Sequence, residues 1–478
     1  MMSMSSKSRL TRCVLAAALL AASGSAWSYA INGGKVVDDK GNAVQLRGVN
    51  WFGLDGNVHT VHGLWARNWK DMITQMQGLG FNAVRLPFCP QTLNGTAPSS
   101  IDYGLNPDLQ GLSALQVMDK VINELSRRGM YVLLDHHTPD CNAISELWYT
   151  SSYSEQQWLK DLSFVAKRYA RVPGVIGLDL KNEPHGAATW GSGNASTDWN
   201  KAAERASAAV LKVAPKWLIL VEGISDSANC SSSGGHFWGG NLEPLACTAL
   251  KIPANRLLLA PHVYGPDVFM QSYFSASNFP ANMPAIWERH FGQFAKSGHA
   301  LLLGEFGGKY GQGNALDVQW HNALVDYLIG KGIHSGFYWS WNPNSNDTGG
   351  ILNDDWKSVR TDKVTLLKKL WGDSSSSTPT PTAALSPALT STQGGASFST
   401  KTVVDSDWNA GYCHRVQVTN TGKASGNWAV SLSIGGAVNN LWNATWTQSG
   451  STLNAAGVGW NKTLAPGASA EFGFCAAR

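Results

Sequence analysis

VIGLDLKNEP, residues 175–184, is the stretch whose reading decides the fold. Its first six residues form an apolar run of the length and composition of a buried strand, and the run ends in Lys181, Asn182 and Glu183. ALLLGEFG, residues 300–307, repeats the pattern, with an apolar run interrupted at Glu305. Both glutamates are thereby predicted at the C-terminal ends of buried strands, where a barrel enzyme keeps its chemistry. One such glutamate is usually ion-paired or a cap. Two supply what cleavage of a glycosidic bond needs, a protonated acid for the leaving oxygen and an ionised carboxylate for the anomeric carbon.

Six further apolar runs surround these two. The predicted strands are 44–51, 83–88, 131–135, 175–180, 218–222, 256–262, 300–305 and 336–341, and amphipathic stretches lie between them. Trp158, Leu162, Val165 and Tyr169 make one helical face, opened by Ser154 with Gln157 three residues on. Eight strands alternating with helices predict an α/β fold, the (β/α)8 TIM barrel, with its site on the loops after the strands. Other polar and aromatic groups gather at the same strand ends: Arg85, His136, His137, Asn182, His262, Tyr264, Trp339 and Trp341. A lone histidine there is as often structural as not, but convergence from six strands reads as a cleft.

The chain has 478 residues, enough for a barrel of 250 to 300 residues and a small second domain. Its 37 basic and 33 acidic residues are too balanced for a nucleic-acid or anionic-membrane partner. Only 15% of residues are charged, against 21 Trp, which suits a neutral, hydroxylated partner with apolar C–H faces. Lys7, Arg9 and Arg12 precede an apolar run at 14–22, followed by small residues at 26–30, so residues 1–30 read as a secretory signal peptide. That run is too short to span a bilayer, and the expected product is secreted, extracellular and free of the membrane.

Six cysteines remain after Cys13 leaves with the leader. Pairing by neighbourhood would join Cys89 with Cys141, Cys230 with Cys247 and Cys413 with Cys475, although other connectivities stay open. No Cys-x-x-Cys or His-x-x-x-His cluster suggests a metal, and none is expected. Residues 373–396 carry SSSSTPTPTAALSPALTSTQGGA and read as an extended Pro/Ser/Thr linker between residues 31–372 and 397–478. After it, HRVQVTN, WAVSLSI and AEFGFCA alternate between Gly, Asn and Ser turns, which predicts a C-terminal all-β sandwich.

The strings AVRLPF, LDHHTPDC, LDLKNEP, APHVYG, LGEFG and YWSWNPNSNDTGG resemble glycoside hydrolase family 5, in particular its bacterial endo-β-1,4-glucanases, over residues 31–372. The resemblance implies a retaining mechanism with Glu183 as acid/base and Glu305 as nucleophile. It also marks Arg85, His137, Asn182, His262, Tyr264 and Trp339 as signature positions, and implies no cofactor. Relatives carry a cysteine after WFG where this chain reads LDGNVH, which leaves Cys89 as the implied partner of Cys141. DWNAGY, NLWNATWTQSG and VGWNKTLAPG resemble carbohydrate-binding module family 2, which implies a cellulose-facing role for Trp408, Trp442 and Trp460 and leaves Trp428 and Trp446 as core. Relatives tie the module's ends with a disulfide; here Cys413 lies inside the first strand region, so the staple is expected to join the first and last strands.

Physical roles follow. Glu305 must be ionised to attack, and Arg85 and Tyr264 can hold it so. Glu183 must carry a proton at rest and act as base afterwards; Asn182 suits the sugar 2-hydroxyl. His137 and His262 are expected to orient substrate and neighbours, and Trp51, Trp238 and Trp339 to form sugar subsites. The expectation is a monomeric endoglucanase acting on cellulose and soluble β-1,4-glucans. Alternatives are a mannanase or other β-glucanase of the same clan, or a polysaccharide-binding protein on a dead barrel, which the presence of both glutamates opposes.

Overall fold

The computed structural model describes residues 28–226, 235–295, 298–373, 392–393, 396–408, 411–458 and 461–477. The chain divides into two compact units, Met1–Ser375 and Ser376–Arg478. Nearly all of the expected leader and linker lies outside the described residues. The folded unit begins before residue 31, because Tyr29 is buried and Ala30–Asn32 pairs with Lys35–Val37 in a small hairpin.

The first unit is the expected barrel. Its strands are β1 (Arg47–Asn50), β2 (Ala83–Phe88), β3 (Tyr131–His136), β4 (Val175–Asp179) and β5 (Leu218–Val221). Then come β6 (Leu257–Leu259 and His262–Tyr264), β7 (Ala300–Leu301 and Leu303–Gly307) and β8 (Gly336–Tyr338). All pairs are parallel, β8 returns to β1, and both halves of β6 pair with the matching halves of β7, so the ring closes. The expected run 256–262 is split at Pro261, which has no N–H to give to the ladder. The expected start of the first strand is also early by three residues: Val44 bonds to Val36 of the hairpin instead.

Helices cover the outside. They include α1 (Trp69–Gly78), α2 (Ala114–Arg127), α3 (Glu155–Tyr169), α4 (Trp199–Val213), α5 (Met283–Trp287), α6 (Ala315–Gly330) and α7 (Thr361–Trp371). Ser154 caps α3 by accepting the Gln157 N–H, and Trp158, Leu162, Val165 and Tyr169 are its buried face. Between β5 and β6 the only helical turn among the described residues is the short Glu243–Ala246, so the eightfold alternation is incomplete there.

Strand periodicity explains where the site lies. Side chains alternate between the helix-facing side and the barrel interior. Val84, Leu86, Val132, Leu134, Leu178, Ile219 and Val221 join the large cluster with the helices. Ala83, Leu133, Ile176, Leu218, Leu220, Leu258, Leu302 and Phe337 form a separate apolar core inside. Each such Val, Leu, Ile or Phe contributes about 1.5–3 kcal/mol by leaving water. A Cβ at Gly48 would overlap the Phe337 ring, which shows how tightly that interior is filled. Further along the same files, towards the C-terminal ends, the inward residues become Arg85, Asp135, Asp179, Glu222, His262 and Glu305, all buried.

The second unit is strand-rich, as expected. β9 (Ala396–Trp408), β10 (Gly411–Asn420), β12 (Ala437–Trp442) and β15 (Ser469–Ala477) share one antiparallel sheet; β11 (Ala429–Ser433), β13 (Ala444–Ser449) and β14 (Thr452–Gly457) form another. Trp428 is core, stacked on Phe472 at 5.5 Å with its ring N–H on Asn461 O. Trp446 is not: on the outer strand β13 it is 40% exposed, because it faces the small Ala455 at the sheet margin rather than a covering layer.

Two expected disulfides are present. Cys89–Cys141 ties the loops after β2 and β3, and Cys413–Cys475 links directly opposed residues of β10 and β15. The latter does not join the first and last strands as expected, because β9 precedes the strand that carries Cys413. Cys247 is also disulfide-bonded, while Cys230 lies outside the described residues.

Candidate active site

Arg85 stands at the centre of the barrel mouth with no exposure. Its guanidinium donates to Glu305 Oε1 at 2.5 Å, Asp179 Oδ2 at 2.9 Å, Asn182 Oδ1 at 3.1 Å and Asn50 Oδ1 at 3.0 Å. Burial opposes its charge, but Asp135, Asp179, Glu305 and Glu222 together hold it protonated. Tyr264 donates its hydroxyl to Glu305 Oε2 at 2.5 Å. Burial and the Glu305 charge push that phenol well above its ordinary range, so it stays a donor. Glu305 thus has one oxygen on a fixed cation and the other on a hydroxyl donor.

Glu183 lies across from it. One oxygen from each glutamate and a ring nitrogen of His262 all lie within 4.8 Å of one another. His262 Nδ1 is 3.1 Å from Glu183 Oε1 and 3.5 Å from Glu305 Oε2, while its Nε2 is 3.1 Å from Glu222 Oε1. Burial would discharge this histidine; the charges of Glu222 and Glu305 override it and raise its pKa well above the ordinary value. Glu183 itself has φ of 52°, a left-handed conformation that costs a non-glycine residue on the order of 1–3 kcal/mol and persists only where its surroundings impose it.

His137 is held by Asp135, with Nδ1 2.7 Å from Oδ2. Burial alone would lower its pKa, but the Asp135 charge and hydrogen bond raise it to about 9. Trp339 stacks on His137 at 5.5 Å and on Phe52 at 5.3 Å, with its ring N–H on Ser345 Oγ. Trp238 stacks on His185 at 3.7 Å and is 47% exposed. A cleft of about 480 Å³ runs past Glu183, Glu305, His137, Tyr264, Trp238 and Trp339, with Phe269 and Asp347 on its wall.

Three rim assignments are corrected. Trp51 is fully buried, its ring N–H on His62 O, and is core rather than a sugar subsite. His136 points to the helix side, stacking on Tyr153 and bonding its hydroxyl at 3.0 Å. Trp341 is likewise inside the core. Trp51 and His136 sit one residue out of phase with the inward file, a parity that the expected strand ends did not resolve, whereas Trp341 lies three residues past the end of β8, where strand alternation no longer applies.

With this geometry in place, residues 37–345 match the family model described as "Cellulase (glycosyl hydrolase family 5)". The chain belongs to glycosyl hydrolase family 5. Residues 398–478 match the family described as "Cellulose binding domain". Among relatives of this family-5 chain, the "Major extracellular endoglucanase" of Xanthomonas campestris pv. campestris is 70% identical over 473 residues, covering 97% of this chain and 98% of that protein. An "Endoglucanase" of Paenibacillus polymyxa is 45% identical, covering 72% and 86%. The solved catalytic domain of the Xanthomonas enzyme is 74% identical with a TM-score of 0.71, covering 72% of this chain and all of that one. An endocellulase from Pyrococcus horikoshii, solved with cellotetraose, is 46% identical at the same TM-score, covering 72% and 99%.

In the second unit, Trp408 and Trp442 belong to β9 and β12, but their side chains are outside the described residues, as is all of Trp460. Sequence reasoning passed over Asp135, Asp179 and Glu222. Each ends an apolar run (VLLD, IGLD, LILVE), the same signal that exposed the two glutamates.

Proposed function

We propose that this protein is a secreted, monomeric endo-β-1,4-glucanase that hydrolyses internal bonds of cellulose with retention at the anomeric carbon, using Glu305 as nucleophile and Glu183 as acid/base. The observation that carries the reading is the close approach of the two glutamates within 4.8 Å, with Glu305 held by Arg85 and Tyr264. Retaining pairs stand about 5–5.5 Å apart, whereas inverting pairs leave room for a water at roughly 6.5–9.5 Å.

In the first step Glu305 attacks the anomeric carbon while Glu183 gives its proton to the departing glycosidic oxygen. A covalent glycosyl-enzyme remains and Glu183 is ionised. Water then attacks the same carbon, Glu183 takes a proton from it, and Glu305 leaves with its charge restored. Asn182 Oδ1 is fixed by Arg85, while its buried Nδ2 has no hydrogen-bond partner among the described residues, which supports donation to the sugar 2-hydroxyl. Trp339 and Trp238 offer flat faces for glucose rings. Trp408, Trp442 and Trp460 are the proposed cellulose-facing rings of the module, tethered so that the barrel is concentrated at an insoluble surface.

Glu305→Ala tests the assignment. It should lower turnover on the order of 10⁴-fold or more, and added azide should restore cleavage with inverted product by occupying the vacated space. Azide that restores nothing, on a folded variant, overturns the nucleophile assignment.

A further inference from the structure

Glu222 is a third glutamate in the barrel mouth, at the end of β5, and the mechanism above gives it no task. It is completely buried. A buried carboxylate without a function is costly, so its contacts call for a reason. They converge on Glu183. Glu222 Oε2 accepts the backbone N–H of Glu183 at 2.9 Å. Its Oε1 lies 3.1 Å from His262 Nε2 and 3.5 Å from Arg85, charge contacts without an aligned N–H. His262 in turn holds the Glu183 side chain through Nδ1.

Glu183 is therefore held from two directions that meet at one residue. Its φ of 52° is a conformation that an ordinary glutamate avoids, so something outside its own backbone has to impose it. The carbonyl side is fixed as well, by His185 Nδ1 at 2.7 Å from Glu183 O. The neighbouring loop closes the arrangement: Gly239 N–H donates to Pro184 O at 3.2 Å, and Gly223 N–H donates to Gly239 O at 2.8 Å. Gly239 has φ of 67°, and a Cβ there would overlap Glu222 Oε2, so the loop passes over the carboxylate as closely as a backbone can. Asp179 and Lys181 are the other charged neighbours, and neither touches Glu183 in this way.

We propose that Glu222 is a positioning residue for proton donation: it fixes the left-handed backbone of Glu183 and the imidazole of His262, and so aims the acid at the departing oxygen. The inference rests on the reading of Glu183 as the acid. Aim matters only where the leaving group needs its proton. A poor leaving group such as the 4-hydroxyl of glucose depends on it, and 2,4-dinitrophenolate does not.

The experiment compares kcat/KM on cellotetraose and on 2,4-dinitrophenyl β-cellobioside for the full chain and for Glu222→Ala, Glu222→Gln and Glu183→Ala. Glu222→Ala should lose about 30-fold or more on cellotetraose but less than about 3-fold on the activated substrate, a split expected of an impaired general acid. Glu222→Gln keeps a carbonyl for the Glu183 N–H and should recover to within about 10-fold of the parent on cellotetraose, with the same selectivity. Equal losses on both substrates, or a Gln variant no better than Ala, would overturn the proposal. If the Ala variant does not fold, the selectivity of the Gln variant decides alone: a loss confined to cellotetraose sustains the proposal and an unselective loss ends it. Glu183→Ala separates the two readings, because an unselective loss there removes the acid assignment itself, whereas a selective loss there beside an unselective one at Glu222 removes only the inference.

Discussion

The two folded units handle polar groups in opposite ways. The barrel mouth buries Arg85 among Asp135, Asp179, Glu222 and Glu305, with His137 and His262 beside them. In the C-terminal unit the buried polar side chains among the described residues are Asn420 and Asn461, both neutral, and the ion pair Arg415–Glu471 is exposed and 3.8 Å long. Chemistry at a carboxylate needs charges fixed in a dry, low-dielectric place, which only a large scaffold can supply. Adhesion to a flat, neutral polymer needs side chains on the outside and a core that merely holds the sheet together. The difference predicts that the two units fail in different ways.

Arg85→Met should produce a large loss of stability in the barrel. It leaves several buried carboxylates without their cation, at a cost on the order of 3–5 kcal/mol to the barrel alone. Calorimetry of the full chain should show the barrel transition falling and the module transition unmoved; a shift of both would break the comparison. Trp428→Ala should do the converse, destabilising the module by about 3–5 kcal/mol through loss of its stack on Phe472. Activity on soluble carboxymethyl cellulose should survive that change.

A smaller effect comes from pH. His137 has its folded pKa raised to about 9 against 6.5 unfolded, so its contribution is complete below 6.5 and is lost as pH rises through 9. Between those values the barrel should lose up to about 1.4 kcal/mol per pH unit relative to a His137→Gln variant, read as the difference between their denaturation curves. No such difference should appear in the module. The smallest effect belongs to Trp446→Ala, which should change module stability by roughly 0.5 kcal/mol or less, since the ring is half exposed at a sheet margin.

Most of the barrel was legible because parallel strands buried on both sides read as short apolar runs, and all eight were found. Glu183 and Glu305 were legible for the same reason, as charges ending such runs. What escaped was parity. One residue along a strand exchanges inward for outward, so Trp51 and His136 were assigned to the rim although they face the core, while Asp135, Asp179 and Glu222 were missed on the inward file; Trp341 lies past the end of β8, where the alternation gives no guide. The interruption of β6 at Pro261 was written in the chain, but that both halves still pair with β7 is a tertiary fact. The left-handed backbone of Glu183 had no sequence signal at all, because the residues that impose it, Glu222 and His185, come from other parts of the chain or act through space.

The central claim is that Glu305 and Glu183 face each other across a retaining spacing. Proton NMR of the earliest products of cellopentaose hydrolysis measures this directly. The account predicts the β-anomer first, with the α-anomer appearing only later by mutarotation. The α-anomer appearing first would mean single displacement by water, and would contradict the assignment of Glu305 as nucleophile.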